Sequence, residues 1–303
     1  MKSNELKKRL IQMDADQTID ESDIDWIIVE CSGIKRAEIE IGKELSCDAI
    51  KKAEEIMKVR LTGVPLAYCL GYQNFFGRNF FVNRNTLIPR CETEQLVDSV
   101  LKTIKCGSGL DVGTGSGIIP ITLNLENSDL TMTAVDISDE ALLVADKNAK
   151  NLNANVDLLK SDLFSMLKGK QFDFIVSNPP YIKTQDIETL DDVVKKFEPM
   201  LALDGGVDGL DFYKRIICDA PKFLKDNGYI FFEVGIGESD AVKDLLSKEF
   251  KDIKIEKDLK NVARIVSAIK KWGSYDWKIK RDEVEVFRID WTNWGPCSYC
   301  RYW

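Results

Sequence analysis

Asn178-Pro179-Pro180-Tyr181 follows directly on the run Phe172-Asp173-Phe174-Ile175-Val176-Ser177. The run suits a buried strand, with aromatic and β-branched residues fit for a pleated core surface. Neither proline can donate to a ladder, so the strand must stop there. Pro179 also biases Asn178 towards an extended backbone. The result is a rigid loop at the carboxyl end of a strand, where open α/β sheets place their ligands. An amide oxygen on Asn178, the Pro179 carbonyl and the Tyr181 ring then converge on one spot. That set suits a planar group with two N–H donors, an NH2 attached to a carbonyl or to a ring. An ordinary proline turn would look the same in isolation, so the reading depends on a cofactor loop upstream.

Such a loop is present in Gly109-Leu110-Asp111-Val112-Gly113-Thr114-Gly115-Ser116-Gly117-Ile118-Ile119. A dinucleotide fingerprint would need glycine at 118 or 120, which are Ile118 and Pro120. The pattern is therefore D-x-G-x-G-x-G. Glycines let the backbone of Gly113, Thr114, Gly115, Ser116 and Gly117 approach a ligand, and the following helix offers unpaired N–H groups to an anion. The anion expected here is the carboxylate of a methionine moiety, with Asp111 answering its ammonium. Asp136, ending the next strand, is placed to accept both ribose hydroxyls. Asp162, ending the third, is placed to accept an adenine amino proton, with Leu163 or Phe164 against the ring. Taken in order, these elements point to S-adenosyl-L-methionine rather than a nicotinamide cofactor.

The elements that must position these residues alternate strand and helix from Gly109 onward, as in a mostly parallel sheet. Strands are expected near 107–112, 131–136, 155–159, 172–177, 228–234, 252–257 and 262–269. Helices are expected at Ser138–Asn153, Asp211–Leu224 and Glu238–Glu249. The last two strands have only the turn at Lys260-Asn261 between them and must be antiparallel. Upstream, residues 1–70 read as a helical bundle, with apolar stripes in Glu5–Met13, Ile24–Cys31 and Cys47–Leu61 and Ser46 as a cap. Two aromatic runs flanking Gly77 suggest a β-hairpin within a 71–90 linker. Thr93 or Glu92 begins a helix over Gln95–Lys105. The fold class is α/β, with a Rossmann-like domain at 91–271.

The chain has 303 residues, 44% hydrophobic and 30% charged, enough for about two domains with a real core. Its net charge of -8 is ill suited to gathering nucleic acid by phosphate neutralisation. No apolar run approaches a membrane span, and the start lacks a signal-peptide core, so a cytoplasmic protein is expected. Histidine is absent, which excludes imidazole acid/base work, Ser-His-Asp triads and His-bearing metal sites. Cys31, Cys47, Cys69, Cys91, Cys106 and Cys218 show no pairing pattern and read as buried or incidental thiols.

With all these segments in place, the chain resembles the bacterial release factor glutamine methyltransferases over about residues 5–270. Further pieces carry the likeness: Pro65-Leu66-Ala67-Tyr68, Leu87-Ile88-Pro89-Arg90-Cys91-Glu92-Thr93-Glu94, Glu198-Pro199, Leu203 to Leu210, and Glu233-Val234-Gly235. The resemblance implies a helical domain that docks a release factor and a seven-stranded methyltransferase domain. It implies that Gly113 to Gly117, Asp136 and Asn178 contact S-adenosylmethionine, and that Asn178, Pro179, Pro180 and Tyr181 receive the substrate glutamine of a Gly-Gly-Gln motif. Leu163 stands where the family often carries tryptophan, and Cys91 where it carries proline. An amide nitrogen needs no base before attack if both its N–H bonds are fixed. The expected acceptors are the Asn178 side-chain oxygen and the Pro179 carbonyl, with Tyr181 on the amide plane. Two rivals remain: a DNA adenine-amino methyltransferase, which presents a flipped base to a similar tetrapeptide, and a non-catalytic S-adenosylmethionine-binding partner of translation. Acidity and a short helical domain speak against the first, and the intact tetrapeptide against the second. The protein is expected to act as a monomer, without nucleic acid, membrane or metal.

Residues 272–303 hold five of the six tryptophans and end in Cys297-Ser298-Tyr299-Cys300-Arg301-Tyr302-Trp303. The resemblance stops short of them. A lone C-x-x-C is a weak metal or redox signal, and this tail reads as a packing extension or non-native read-through.

Overall fold

The computed structural model describes residues 1–272. Residues 273–303, and with them the expectations for the tail beyond Trp272, lie outside the described residues.

Helices α1 (Ser3–Met13), α2 (Glu21–Ser32), α3 (Glu38–Ile41) and α4 (Cys47–Arg60) gather first. Their stripes converge in one core of Leu6, Leu10, Ile24, Ile27, Ile28, Ala53 and Met57. Ser46 caps α4 as expected, its Oγ accepting from the Ala49 N–H at 3.1 Å. A fifth short helix, α5 (Leu66–Leu70), was not legible in the sequence. It is bracketed by Pro65 and Gly71 and is too short to show a period.

The hairpin forms as β1 (Tyr72–Phe75) and β2 (Arg78–Phe81), joined through Phe76 and Gly77, both at positive φ (51° and 74°). That two-residue turn matches the right-handed twist of the strands. Phe75 and Phe80 are fully buried and meet edge to face at 6.0 Å. They pack into the core of the sheet rather than into the helical core.

The remainder comprises α6 (Glu92–Thr103), β3 (Gly107–Val112), α7 (Ile118–Glu126), β4 (Leu130–Asp136), α8 (Asp139–Leu152), β5 (Val156–Lys160) and β6 (Phe172–Ser177). Then come α9 (Asp192–Phe197), α10 (Asp211–Phe223), β7 (Leu224–Glu233), α11 (Ser239–Leu246), β8 (Phe250–Lys257) and β9 (Ala263–Lys270). Among the described residues seven strands form one sheet in the order β5-β4-β3-β6-β7-β9-β8. All neighbours are parallel except β9, which runs antiparallel to both β7 and β8. The chain moves outward from β3 to β5, then returns to the other side of β3 with β6. This reversal opens a crevice between the carboxyl ends of β3 and β6.

Each face of the sheet has its own core. Leu110, Val112, Ile175, Phe232 and Val266 pack against α10 and α11, while Phe174, Val176, Phe231 and Ile265 pack against α6, α7 and the hairpin. α6 starts at Glu92, three residues before the expected Gln95. The Arg90 and Cys91 carbonyls already accept from Thr93 and Glu94, and two acidic side chains suit the first turn. Thr93 therefore lies inside the helix, 1% exposed. The described cysteines are free thiols, but none of them is buried. They sit at helix surfaces and loop edges, so burial is not their role. Among the described residues no helix is long and apolar enough to cross a membrane.

Candidate active site

A cavity of about 270 Å³ fills the crevice. On its β3 side, the chain leaves Val112 and turns through Gly113, Gly115 and Gly117 with φ of 78°, 55° and 81°. Gly117 is fixed twice over. Its backbone is left-handed, and an added Cβ would come within 2.9 Å of Ile121 Cδ1 and 3.1 Å of Ala145 Cβ. The loop is tied to β4 by the N–H groups of Gly113 and Thr114, which donate to the Val135 carbonyl at 2.9 and 3.0 Å. Asp136 completes the tie, since Gly115 N–H donates to its Oδ2 and Ser138 N–H to its Oδ1, each at 2.9 Å. Burial raises the Asp136 carboxyl above its ordinary value, and these backbone donors oppose the rise.

Beneath the loop lies Asp111, fully buried, with the Thr114 hydroxyl as a polar neighbour but no well-formed hydrogen bond to either carboxyl oxygen. The Thr114 hydroxyl is buried and unpartnered too. Burial pushes Asp111 up to about 7. A buried carboxyl with no donors costs free energy unless a charged partner arrives.

Asn148 holds the loop from below. It sits on the buried stripe of α8 with Ala141, Val144, Ala145 and Ala149. Its amide pairs with Phe81 like a strand residue, accepting from the N–H at 2.7 Å and donating to the carbonyl at 2.9 Å. The same Nδ2 donates to the Ser116 carbonyl at 2.8 Å. One side chain thus joins the hairpin to the glycine loop. Its signal in the sequence was a polar residue on an apolar stripe, and it was missed.

At the outer wall, Asp162 and Leu163 both line the cavity. Asp162 accepts from Arg215 Nη2 with both oxygens, at 2.7 and 2.9 Å, a partner on α10 that the sequence did not indicate. Leu163 holds a positive φ of 49°, a strained setting for a leucine. Phe164 is turned away from the cavity. It is buried and stacks on Phe223 at 4.7 Å, which leaves the wall to Leu163.

On the β6 side, Ser177, Asn178, Pro179 and Pro180 line the cavity. Ser177 Oγ donates to the Val112 carbonyl at 2.6 Å, closing the two strand ends together. Tyr181 departs from expectation, because its ring is not among the cavity-lining residues. The ring packs towards the sheet core, so that a Cβ added at Gly235 would lie 3.0 Å from Tyr181 Cδ2. Burial pushes its phenol up to about 12. The reason is capture of the backbone after Pro180. Ile182 N–H donates to Leu203 O, and Gly205 N–H returns to Ile182 O. A Cβ at Gly205 would meet Tyr181 Cα at 2.7 Å, and one at Gly209 would meet Tyr181 O at 2.5 Å. The Leu203 to Leu210 segment therefore owes its glycines to close approach.

Behind Asn178 is a buried polar group. Asn178 Nδ2 donates to Thr93 Oγ1 at 3.2 Å. Glu233, 2% exposed, ends β7 alongside. Burial pushes its carboxyl up to about 7, the Thr93 side chain opposes this, Glu92 adds to the rise, and Arg264 and Asn178 pull it down. Across the mouth, Glu198 accepts from Arg90 Nη2 at 2.6 Å and from Ile88 N–H at 3.1 Å. That clamp brings Pro89 and Arg90 to face Pro199 and Leu201 around the cavity.

Comparison with known proteins identifies the relatives of the chain. The family described as Methyltransferase small domain matches residues 92–208. The release factor glutamine methyltransferase of Bacillus cereus is 43% identical over 222 residues, covering 71% of this chain and 78% of its own. That of Bacillus subtilis is 38% identical over 263 residues, covering 82% of this chain and 91% of its own. Among solved structures, the hMettl16 catalytic domain shares the fold at 18% identity, with a TM-score of 0.52 over 78% of this chain and 86% of that one. On these matches, the chain belongs to the release factor glutamine methyltransferase family.

Proposed function

We propose that the protein transfers a methyl group from S-adenosyl-L-methionine to the side-chain amide nitrogen of the glutamine in the Gly-Gly-Gln motif of peptide chain release factors. One observation carries the reading: the glycine loop after β3 and Asn178-Pro179-Pro180 after β6 share the walls of a single cavity.

The β3 side suits the cofactor. Gly113, Thr114, Gly115, Ser116 and Gly117 offer backbone N–H groups and the start of α7 to its carboxylate, and buried Asp111 offers the unpaired counter-charge for an ammonium. Asp136 keeps lone pairs for ribose hydroxyls beyond those given to the loop, and Asp162 with Leu163 forms the wall for the base. When bound, S-adenosylmethionine supplies an electrophilic methyl on a sulfonium.

The β6 side suits the amide. Asn178 Oδ1 and the Pro179 carbonyl each accept one hydrogen of the substrate NH2, which fixes its plane and frees the nitrogen lone pair to point at the methyl. Positioning of this kind supplies up to about 7–11 kcal/mol of a barrier. The two prolines remove the freedom that would blur it. Tyr181 supports the loop from behind. As the C–N bond forms, the S–C bond would break to leave a neutral thioether, and the amide proton would then pass to solvent, so a side-chain base is not required before attack.

The test is incubation with labelled S-adenosylmethionine and three acceptors: a release factor, its Gly-Gly-Gln variant with Gln→Ala, and DNA. Label on the first alone is expected. Label on DNA, or equal label on the Gln→Ala form, would overturn the reading.

A further inference from the structure

A side-chain amide is nearly symmetric in shape, and its two ends differ only in hydrogen-bonding sense. If Asn178 is to accept a substrate N–H, its oxygen must face the cavity and its NH2 must face the protein. The reverse orientation would set donor against donor. Something in the fold has to choose between them.

The register of the sheet brings the chooser close. In the parallel pair β6–β7, Ser177 lies opposite Phe232, so the next residues along, Asn178 and Glu233, leave the sheet side by side. Glu233 also pairs in the antiparallel register with Ile265 of β9, which keeps it from swinging out. Thr93, from the first turn of α6, is 1% exposed and completes the group. Asn178 Nδ2 donates to its Oγ1 at 3.2 Å. The Thr93 and Asn178 side chains are the polar neighbours that favour the ionised Glu233 carboxyl against its burial, and its Oε2 is buried with no hydrogen-bond partner of its own.

The direction of each bond then follows from donor counting. In the ionised form, which the Thr93 and Asn178 side chains favour, the Glu233 carboxylate can only accept. The Thr93 hydroxyl carries one hydrogen, and a buried carboxylate beside it takes that hydrogen. Oγ1 is left with lone pairs alone, so whatever meets it must donate. The Asn178 atom that meets it is therefore nitrogen, and Oδ1 is left for the cavity. The sense of the chain is fixed at its buried end and transmitted outward through two side chains.

We propose that Glu233 and Thr93 are positioning residues for methyl transfer, which hold the Asn178 amide with its oxygen towards the substrate. The inference rests on the reading of Asn178 as an acceptor for the substrate amide. It gives a task to Glu233, which does not itself line the cavity.

Two near-isosteric substitutions test it. Glu233→Gln replaces an acceptor-only group by one that can also donate, so both amide orientations become satisfiable. Thr93→Val removes the relay, and Thr93→Ser restores it. Single-turnover rates, KM for each substrate, S-adenosylmethionine affinity and Tm would be measured for all three and for Asn178→Ala. Glu233→Gln and Thr93→Val should lower the methyl-transfer step on the order of 100-fold, with cofactor affinity unchanged. Thr93→Ser should stay close to the parent, and Glu233→Gln added to Asn178→Ala should cause no further loss. A Glu233→Gln rate near the parent's, with Asn178→Ala inactive, would overturn this inference and leave the acceptor reading standing. Near-parent rates in both would overturn the acceptor reading itself. If Glu233→Gln lowers Tm sharply, the Thr93→Val and Thr93→Ser pair decides alone, and equal rates in those two would overturn the proposal.

Discussion

After β3 the chain turns through three glycines at positive φ and is tied down by backbone bonds to Val135 and Asp136. After β6 it turns through two prolines and is tied down by side chains, Ser177 to Val112 and Asn178 to Thr93. The first edge yields its backbone to a ligand and keeps a buried carboxyl, Asp111, unpaired beneath it. The second offers a side-chain amide and keeps the buried Glu233 behind it. On the proposed reading, the difference divides the work: binding at the glycine edge, geometry of transfer at the proline edge.

The comparison breaks most readily at Asn178. Asn178→Ala should lower turnover by about 100-fold or more while S-adenosylmethionine affinity, measured by calorimetry, stays near the parent's. Equal losses in both would mean that the two edges do not divide the work. Gly117→Ala should act on the opposite edge. Its left-handed backbone and close approach to Ile121 and Ala145 predict a loss of about 1–3 kcal/mol in stability, and cofactor affinity about tenfold weaker. A variant with weakened turnover at saturating cofactor would blur the division.

The smallest effect concerns Asp111 without cofactor. Its carboxyl rises from 3.8 to about 7 by burial. The folded state holds a proton that the unfolded chain has released, so the penalty begins as pH rises past 4 and is complete above about 7. Asp111→Asn should therefore raise Tm at pH 8, by about 2–4 °C for each kcal/mol of burial penalty relieved, with the gain vanishing near pH 4. A constant gain across that range would show that the charge is not its cause.

Much of both edges is legible in the sequence alone, because each is written locally. An apolar run stopped by prolines or by a helix cap marks a strand end, and Asn178 precedes two prolines while Asp136 precedes the Ser138 cap. Ser138 announces α8 through its own cap, its Oγ accepting from Ala141 N–H at 3.1 Å. What escaped is held by distant pairs. Thr93 and Asn178 stand 85 residues apart and Asn148 and Phe81 67 apart, and no local pattern encodes either meeting. Tyr181 was assigned to the cavity by its neighbours in sequence, but the loop around Gly205 takes its backbone and turns the ring inward. Glu233 ended a strand as Asp136 did. Only the sheet order showed that it lies behind the amide rather than beside the cofactor.

The three hydrogen bonds made by Asn148 bear on where this chain can be divided. A cut at residue 91 would strip away Phe81, orphan the Asn148 amide oxygen, and remove Phe75 and Phe80 from the core of the sheet. The hairpin belongs mechanically to the catalytic half, whatever it connects. An autonomous unit for exchange between relatives, or for expression by itself, would begin ahead of Tyr72.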